Sequence, residues 1–182
     1  MAPEETPVRE SDVSAFPVTL DRREGRILFS GVPVWFMTAQ YYVDMQVQLE
    51  SVIGKASKGI LYRSAELLGT RLVRLVAGET VADGDDMTRV SALLRVAELL
   101  PVLGHGKATL VLEDLHALET TWTLPHSQIA ELRRPSSQAV CHFYTGVVAG
   151  LVAGAFGRGV RADEVRCRAK GDEACVITTR AA

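Results

Sequence analysis

AVCHFYTGVVAGLVAGAFGRGVRADEVRCRAKGDEACVITT, residues 139–179, is the stretch whose reading decides the fold. From Ala139 to Phe156 it carries no formal charge, and Gly146, Gly150 and Gly154 recur every four residues. Such a run is almost long enough to span a bilayer. Cys141 and His142 interrupt it, however, and the rest of the chain needs a buried helix, so the spacing predicts a core helix. Pro135 with Ser136 or Ser137 is its expected start, and Gly157 and Gly159 its end. The three glycines leave one helix face almost bare, which lets another backbone approach closely. Tight internal packing is the plain reading of that face; a second subunit or a flat ligand are the others. Beyond the helix, Val160 to Cys167 and Ala174 to Thr179 flank the turn RAKGDE and read as a hairpin.

The same stretch holds all three cysteines in the pattern C-x22-E-x2-C-x7-C: Cys141, Glu164, Cys167 and Cys175. Zinc takes four tetrahedral ligands, prefers thiolates and accepts a carboxylate, so this set would make a closed site. In a hairpin turning about Gly171, Cys167 and Cys175 are equidistant from the turn and share a face. Glu164, three residues before Cys167, would point to the opposite face of a regular strand. A bulge near Val165 or Arg166 is therefore required for it to join. Cys141, at the helix start, reaches the spot if the helix packs over the hairpin, and a helix N-terminus favours a thiolate. Spacing alone leaves two other readings open: ordinary buried cysteines, or a Cys167–Cys175 disulfide.

Working outward, RILFSGVPVWF, residues 26–36, suggests a short strand pair. Helical spacing follows from Met37 to Ala77, with stripes at Met45, Leu49, Val52 and Ile53 and at Ile60, Leu61, Leu68, Leu72 and Leu75, jointed near Gly54 and Gly59. Asp85 or Asp86 caps a third helix reaching about Leu103, with Val90, Leu93, Leu94, Ala97 and Leu100 as its apolar side. Lys107–Leu112 and Thr120–Leu124 form a hairpin around EDLHALE. The expected architecture is α+β: an antiparallel sheet of about four strands packed with helices in a single domain, residues 25–182, behind a flexible tail, residues 1–24. His105, His116 and His126 read as exposed loop histidines.

A net charge of −2 gives no electrostatic reason for a nucleic-acid partner. An odd number of cysteines without a signal peptide at the start indicates reduced thiols and a cytoplasmic setting. No phosphate loop, nucleophile elbow or paired-carboxylate motif stands out, so catalysis has no support from the sequence.

The stretch from Cys141 to Cys175 resembles the 4-vinyl reductase domain family, which includes the sensor domains of aromatic-responsive transcriptional activators. Its shared elements are the helix-opening cysteine, Gly146 and Gly150, the FGR ending at Arg158, and the E-x2-C-x7-C hairpin. VIGKASKGILYRSAELLGTRL, Val52 to Leu72, looks like the family's amino-terminal helical signature. The resemblance implies a fold shared with vesicle-tethering particle subunits, a tendency to form homodimers, and an enclosed apolar pocket for a small hydrophobic or aromatic ligand. It also implies zinc on Cys141, Glu164, Cys167 and Cys175. Where phenol-sensing members carry aromatic residues, this chain has Thr145 and Ala162, while Trp122 stands where they have a pocket tryptophan. The expected pocket residues are Trp122, Phe36, Tyr41, Thr145 and Gly146. A stand-alone sensor or carrier domain that is not an enzyme and acts through a regulatory protein partner is the leading expectation. A tetrapyrrole-handling accessory protein or vinyl reductase of bacteriochlorophyll synthesis, although no nucleotide-binding fingerprint is present, and a dimeric interaction scaffold are the alternatives.

Overall fold

In the computed structural model, which describes residues 18–182, short strands come first: β1 (Val18–Asp21), β2 (Arg26–Phe29) and β3 (Val32–Val34). They form an antiparallel meander in the order β1-β2-β3. Ser30 and Gly31 both have positive φ, 46° and 81°, the conformation that a two-residue turn needs to match strand twist. The chain up to Met37 is one compact unit and Thr38–Ala182 another. The expected tail lies outside the described residues up to residue 17; residues 18–24 form β1 and the turn after it.

The second unit opens with α1 (Ala39–Ile53), capped by the Thr38 hydroxyl, which accepts from the Tyr41 amide at 3.1 Å. It ends at Gly54, whose φ of 58° no β-branched residue would tolerate. Next come α2 (Ala56–Ala77), α3 (Asp86–Val102, capped by Asp85), β4 (Thr109–Asp114), β5 (Glu119–Leu124), the short α4 (Gln128–Leu132), α5 (His142–Phe156), β6 (Val160–Arg166) and β7 (Cys175–Ala181). The last four strands form an antiparallel sheet in the order β4-β5-β7-β6. The α+β architecture with a four-stranded sheet is as expected. α5 begins at His142, later than Pro135 suggested, because residues 136–141 run as a loop in which the Ser136 amide donates to the Ala169 carbonyl at 2.8 Å.

α5 is buried almost all round because it packs on α2 by one side and on β6 and β7 by the other. Its glycine face meets α2. A Cβ on Gly146 would strike the Tyr62 carbonyl, one on Gly150 the Glu66 carbonyl, and one on Gly154 would lie 2.7 Å from Val73 Cγ1. The matching residues rise together, so the two helices run parallel. Gly69 of α2 reciprocates against the Val147 carbonyl, and Thr70 Oγ1 donates to the Gly150 carbonyl at 3.2 Å. Tight internal packing is thus the role of these glycines. Among the described residues, no helix is long and apolar enough to cross a membrane.

This contact overturns the stripe expected on α2. Its buried face is Ser57, Leu61, Ala65, Gly69 and Val73, whereas Ile60, Leu68 and Leu75 are exposed. A glycine face admits a neighbour's backbone only if that neighbour is also lined by small residues, so size prevailed over hydrophobicity. On α1, Val43 and Gln46 are buried while Met45, Val52 and Ile53 are exposed. Gln46 is tolerated inside because its amide donates to the Val140 carbonyl and to Glu50, each at 3.0 Å.

The sheet turns Thr120, Trp122 and Leu124 of β5 and Cys175, Ile177 and Thr179 of β7 inward. Thr179 donates to the Leu118 carbonyl at 2.7 Å, so the 2.7 Å contact between the two threonine hydroxyls has Thr120 as donor. Thr120 Oγ1 in turn accepts the Trp122 indole N–H at 3.0 Å.

Candidate metal centre

Three elements converge at the end of the sheet. Cys175 is the first residue of β7, Cys167 follows β6 and enters a tight turn, and Cys141 is the N-cap of α5. All three are buried free thiols. The pairing of β6 with β7 slips between Glu164, opposite Ile177, and Arg166, opposite Val176. Val165 is the extra residue, and it points out, 54% exposed. This is the bulge that the sequence spacing demands, and it turns Glu164 to the side of Cys167.

One ligand atom from each of Cys141, Glu164, Cys167 and Cys175 lies within 4.8 Å of all the others. The Cys141 and Cys175 sulfurs are 3.6 Å apart, close to the ~3.8 Å edge of a tetrahedron built on zinc–sulfur bonds of about 2.3 Å. Glu164 Oε2 accepts the Cys141 amide at 2.8 Å, while its Oε1 is buried without a hydrogen-bond partner. A buried carboxylate oxygen left unpaired among sulfurs fits a cation. The donor set therefore could hold a metal ion, and sulfur-rich tetrahedral donors suit zinc.

Outer contacts hold the ligands in place. The Ser127 hydroxyl lies 3.2 Å from Cys141 Sγ and also caps α4 through the Ala130 amide. The Arg168 amide donates to Cys175 Sγ at 3.3 Å, and Asp172 Oδ2 accepts the Cys167 amide at 2.7 Å. Arg168 itself bridges the Pro125 and Glu173 carbonyls, each at 2.7 Å, which pins the turn to the end of β5. Neither Ser127 nor Asp172 was singled out from the sequence; a serine preceding a short helix and an aspartate in a hairpin turn read as ordinary caps.

Without a cation the four acids cannot all ionise. Hydrogen bonds from the Cys141 and Cys175 thiols hold Cys167 well below the usual thiol range. Cys141 is pushed far up by those same bonds to Cys167 and Cys175, then by burial. At Cys175 the bond with Cys141 acts downward, but Cys167 and burial raise it to about 12. Burial, then the neighbouring Cys167, pushes the Glu164 carboxyl up to about 7. The metal-free cluster thus carries about one thiolate, and a bound cation would draw the remaining protons off.

The linkage has a definite sign. Glu164 holds its proton more tightly in the folded state, so its contribution is full below pH 4.5 and is lost as pH rises through about 7. Chelated protein is therefore expected to lose up to roughly 3 kcal/mol between these limits. Metal-loaded protein should show the opposite trend, because ligation releases protons. Thermal midpoints measured from pH 5 to 8 with and without chelator check this; parallel curves would refute it.

The five expected pocket residues do not converge in one cavity. Trp122 and Gly146 are fully packed, and Phe36 and Tyr41 are exposed, 86% and 58%. Thr145 alone lines a cleft, an open one of ≈ 350 Å³ with Tyr62, Ala162 and Glu164 in its wall. His105 also departs from expectation: it is half-buried, edge-on to Tyr144 with ring centroids 5.8 Å apart, and burial lowers its pKa. Tyr42, Phe143 and Tyr144 complete this aromatic group, which the local spacing did not bring together.

Residues 129–180 match the 4-vinyl reductase (V-4-R) domain, which bears out the resemblance read from the sequence. Among solved structures, the phenol-responsive sensory domain of the transcription activator PoxR, crystallised with phenol, aligns with a TM-score of 0.78 at 16% identity, covering 97% of this chain and 92% of that one. A vinyl-4-reductase family protein from Methanocaldococcus jannaschii gives 0.53 at 16% identity, with coverages of 82% and 84%. Subunit 3 of a trafficking protein particle complex from Naegleria fowleri, covalently bound to palmitic acid, gives 0.54 at 13% identity, with coverages of 80% and 97%. At these identities the likeness is one of fold. No protein of curated function matches the chain by sequence.

Proposed function

From the premise that the chain carries a 4-vinyl reductase domain at residues 129–180 on the fold of a sensory domain, we propose that it is a small-molecule-binding sensor or carrier domain with a structural zinc ion. The observation that carries this is the convergence of Cys141, Glu164, Cys167 and Cys175, with the unpartnered Glu164 oxygen among the sulfurs. Zinc held there ties the last hairpin to the N-terminus of α5. Four protein ligands leave no open position for activating water, so its role is structural and the domain is a binder, not a hydrolase.

The ligand is a small hydrophobic or aromatic molecule whose pocket adjoins Thr145 and Trp122. Thr145 and Ala162, small where phenol sensors carry aromatic residues, give the pocket a different shape from one that fits phenol. The domain acts as a homodimer: Ile60, Leu67, Leu68 and Leu75 leave an exposed apolar row along α2, wide enough for a second copy. A reducing compartment, the cytoplasm, keeps the three thiols available to the metal, and a protein partner receives the signal.

Native mass spectrometry of protein purified without chelators tests the reading. One zinc per chain, a dimeric mass and a retained or exchangeable apolar molecule are expected. Protein free of metal would overturn the zinc assignment, and a monomer that neither retains nor binds any small molecule would overturn the sensor.

A further inference from the structure

The loop between α4 and α5 meets the junction of α1 and α2 around an open cleft of ≈ 330 Å³. Three cations, Lys55, Lys58 and Arg133, and one anion, Glu50, line it, an excess of two positive charges. Arg133 is already committed: its fork donates twice to Glu50, at 3.1 and 2.7 Å, and Gln46 also donates to that carboxylate. The two ammonium groups are left without a counter-charge. Lys58 donates to the neutral Gln138 Oε1 at 2.6 Å, and the Lys55 side chain makes no hydrogen bond or ion pair among the described residues. Lys58 and His142 also border the cleft of Thr145, but the acids there are engaged: Asp163 pairs with Arg180 at 2.9 Å, and Glu164 belongs to the metal cluster.

We propose that this cleft is a second binding site, for a small soluble phosphate ester whose phosphate lies between Lys55 and Lys58. A carboxylate is best read by a free guanidinium fork, and the only arginine here has its fork filled. Point-charge ammonium groups with the Ser137 hydroxyl suit a tetrahedral oxyanion, which presents an acceptor in every direction. The volume exceeds that of a bare phosphate and lies in the range of small-molecule sites, leaving space for an organic part. The site stands on these groups alone and does not depend on zinc or on an apolar ligand.

The test is a titration of the full chain, followed by amide NMR and calorimetry, with inorganic phosphate and with glycerol 3-phosphate at constant ionic strength. Saturable binding is expected, with shifts centred on residues 54–58 and 133–142 and glycerol 3-phosphate the tighter ligand. Lys55→Gln combined with Lys58→Gln should weaken it about tenfold or more, while Lys107→Gln, on a remote surface, should not. No saturable binding, shifts spread over the surface, or equal affinity in the double variant would overturn the site. Phosphatidic-acid vesicles form a separate arm: binding to them but not to glycerol 3-phosphate would overturn the soluble ligand in favour of a lipid headgroup. Because the shift map is taken on the unmodified protein, it decides even if the double variant folds poorly.

Discussion

Cys175→Ser is expected to release the metal and lower the thermal midpoint by about 10–20 °C, the largest effect of any single change outside the glycine face. A structural zinc site contributes on the order of 10 kcal/mol, and losing one of three sulfurs forfeits roughly half of it. For a chain of this size each kcal/mol moves the midpoint by about 2–4 °C. Cys175 is also buried and sits opposite Leu124 in the sheet, so no solvent relieves the orphaned groups around it. The Arg168 amide would keep a partner in the serine hydroxyl, but Cys141 and Glu164 would face each other without a cation. Chelator should bring the unmodified protein to a similar midpoint and leave the variant unmoved. A variant that retains full metal content and the original midpoint would sink the structural-zinc assignment.

Gly150→Ala should destabilise by about 3 kcal/mol, or some 6–12 °C, even though alanine favours a helix over glycine by about 1 kcal/mol. The new methyl would land on the Glu66 carbonyl oxygen, 2.8 Å from its carbon and 2.9 Å from the Thr70 amide nitrogen. All of these are backbone atoms of α2, which cannot rotate aside as a side chain would. The helices must separate, and the Thr70 hydroxyl loses its bond to the Gly150 carbonyl. Gly59→Ala supplies the contrast. It lies in α2 with nothing within 4 Å of the added carbon, so it should stabilise by about 0.5–1 kcal/mol. Equal midpoints for the two variants would show that the α2–α5 approach is not as close as described.

The metal cluster was legible before the fold because most of it lies within one hairpin, where spacing dictates direction. Equal distances from Gly171 put Cys167 and Cys175 together, and the mismatch at Glu164 called for a bulge that occurs at Val165. The glycine spacing of α5 likewise announced a close approach but not the partner, which is α2. The apolar stripes misled where packing was decided at long range. Ile60, Leu68 and Leu75 satisfy helical periodicity as well as Leu61 and Val73 do, and only the bare face of α5 selects the small-residue side of α2. His105 looked like a loop histidine because its aromatic neighbours, Phe143 and Tyr144, come from a distant helix.

By itself, then, the sequence determined what depends on covalent neighbours: the class of elements, the hairpin register around Gly171, and a sulfur-rich ligand set that only a bulged strand could complete. Tertiary structure alone decided which helix faces are buried, that Phe36 and Tyr41 face solvent, and that Lys55 and Lys58 share a cleft with an Arg133 already bound to Glu50. The division is physical. Directions within a strand or turn follow from backbone geometry over a few residues, whereas burial and charge balance depend on atoms far apart in the chain, whose contacts exist only once the core has packed.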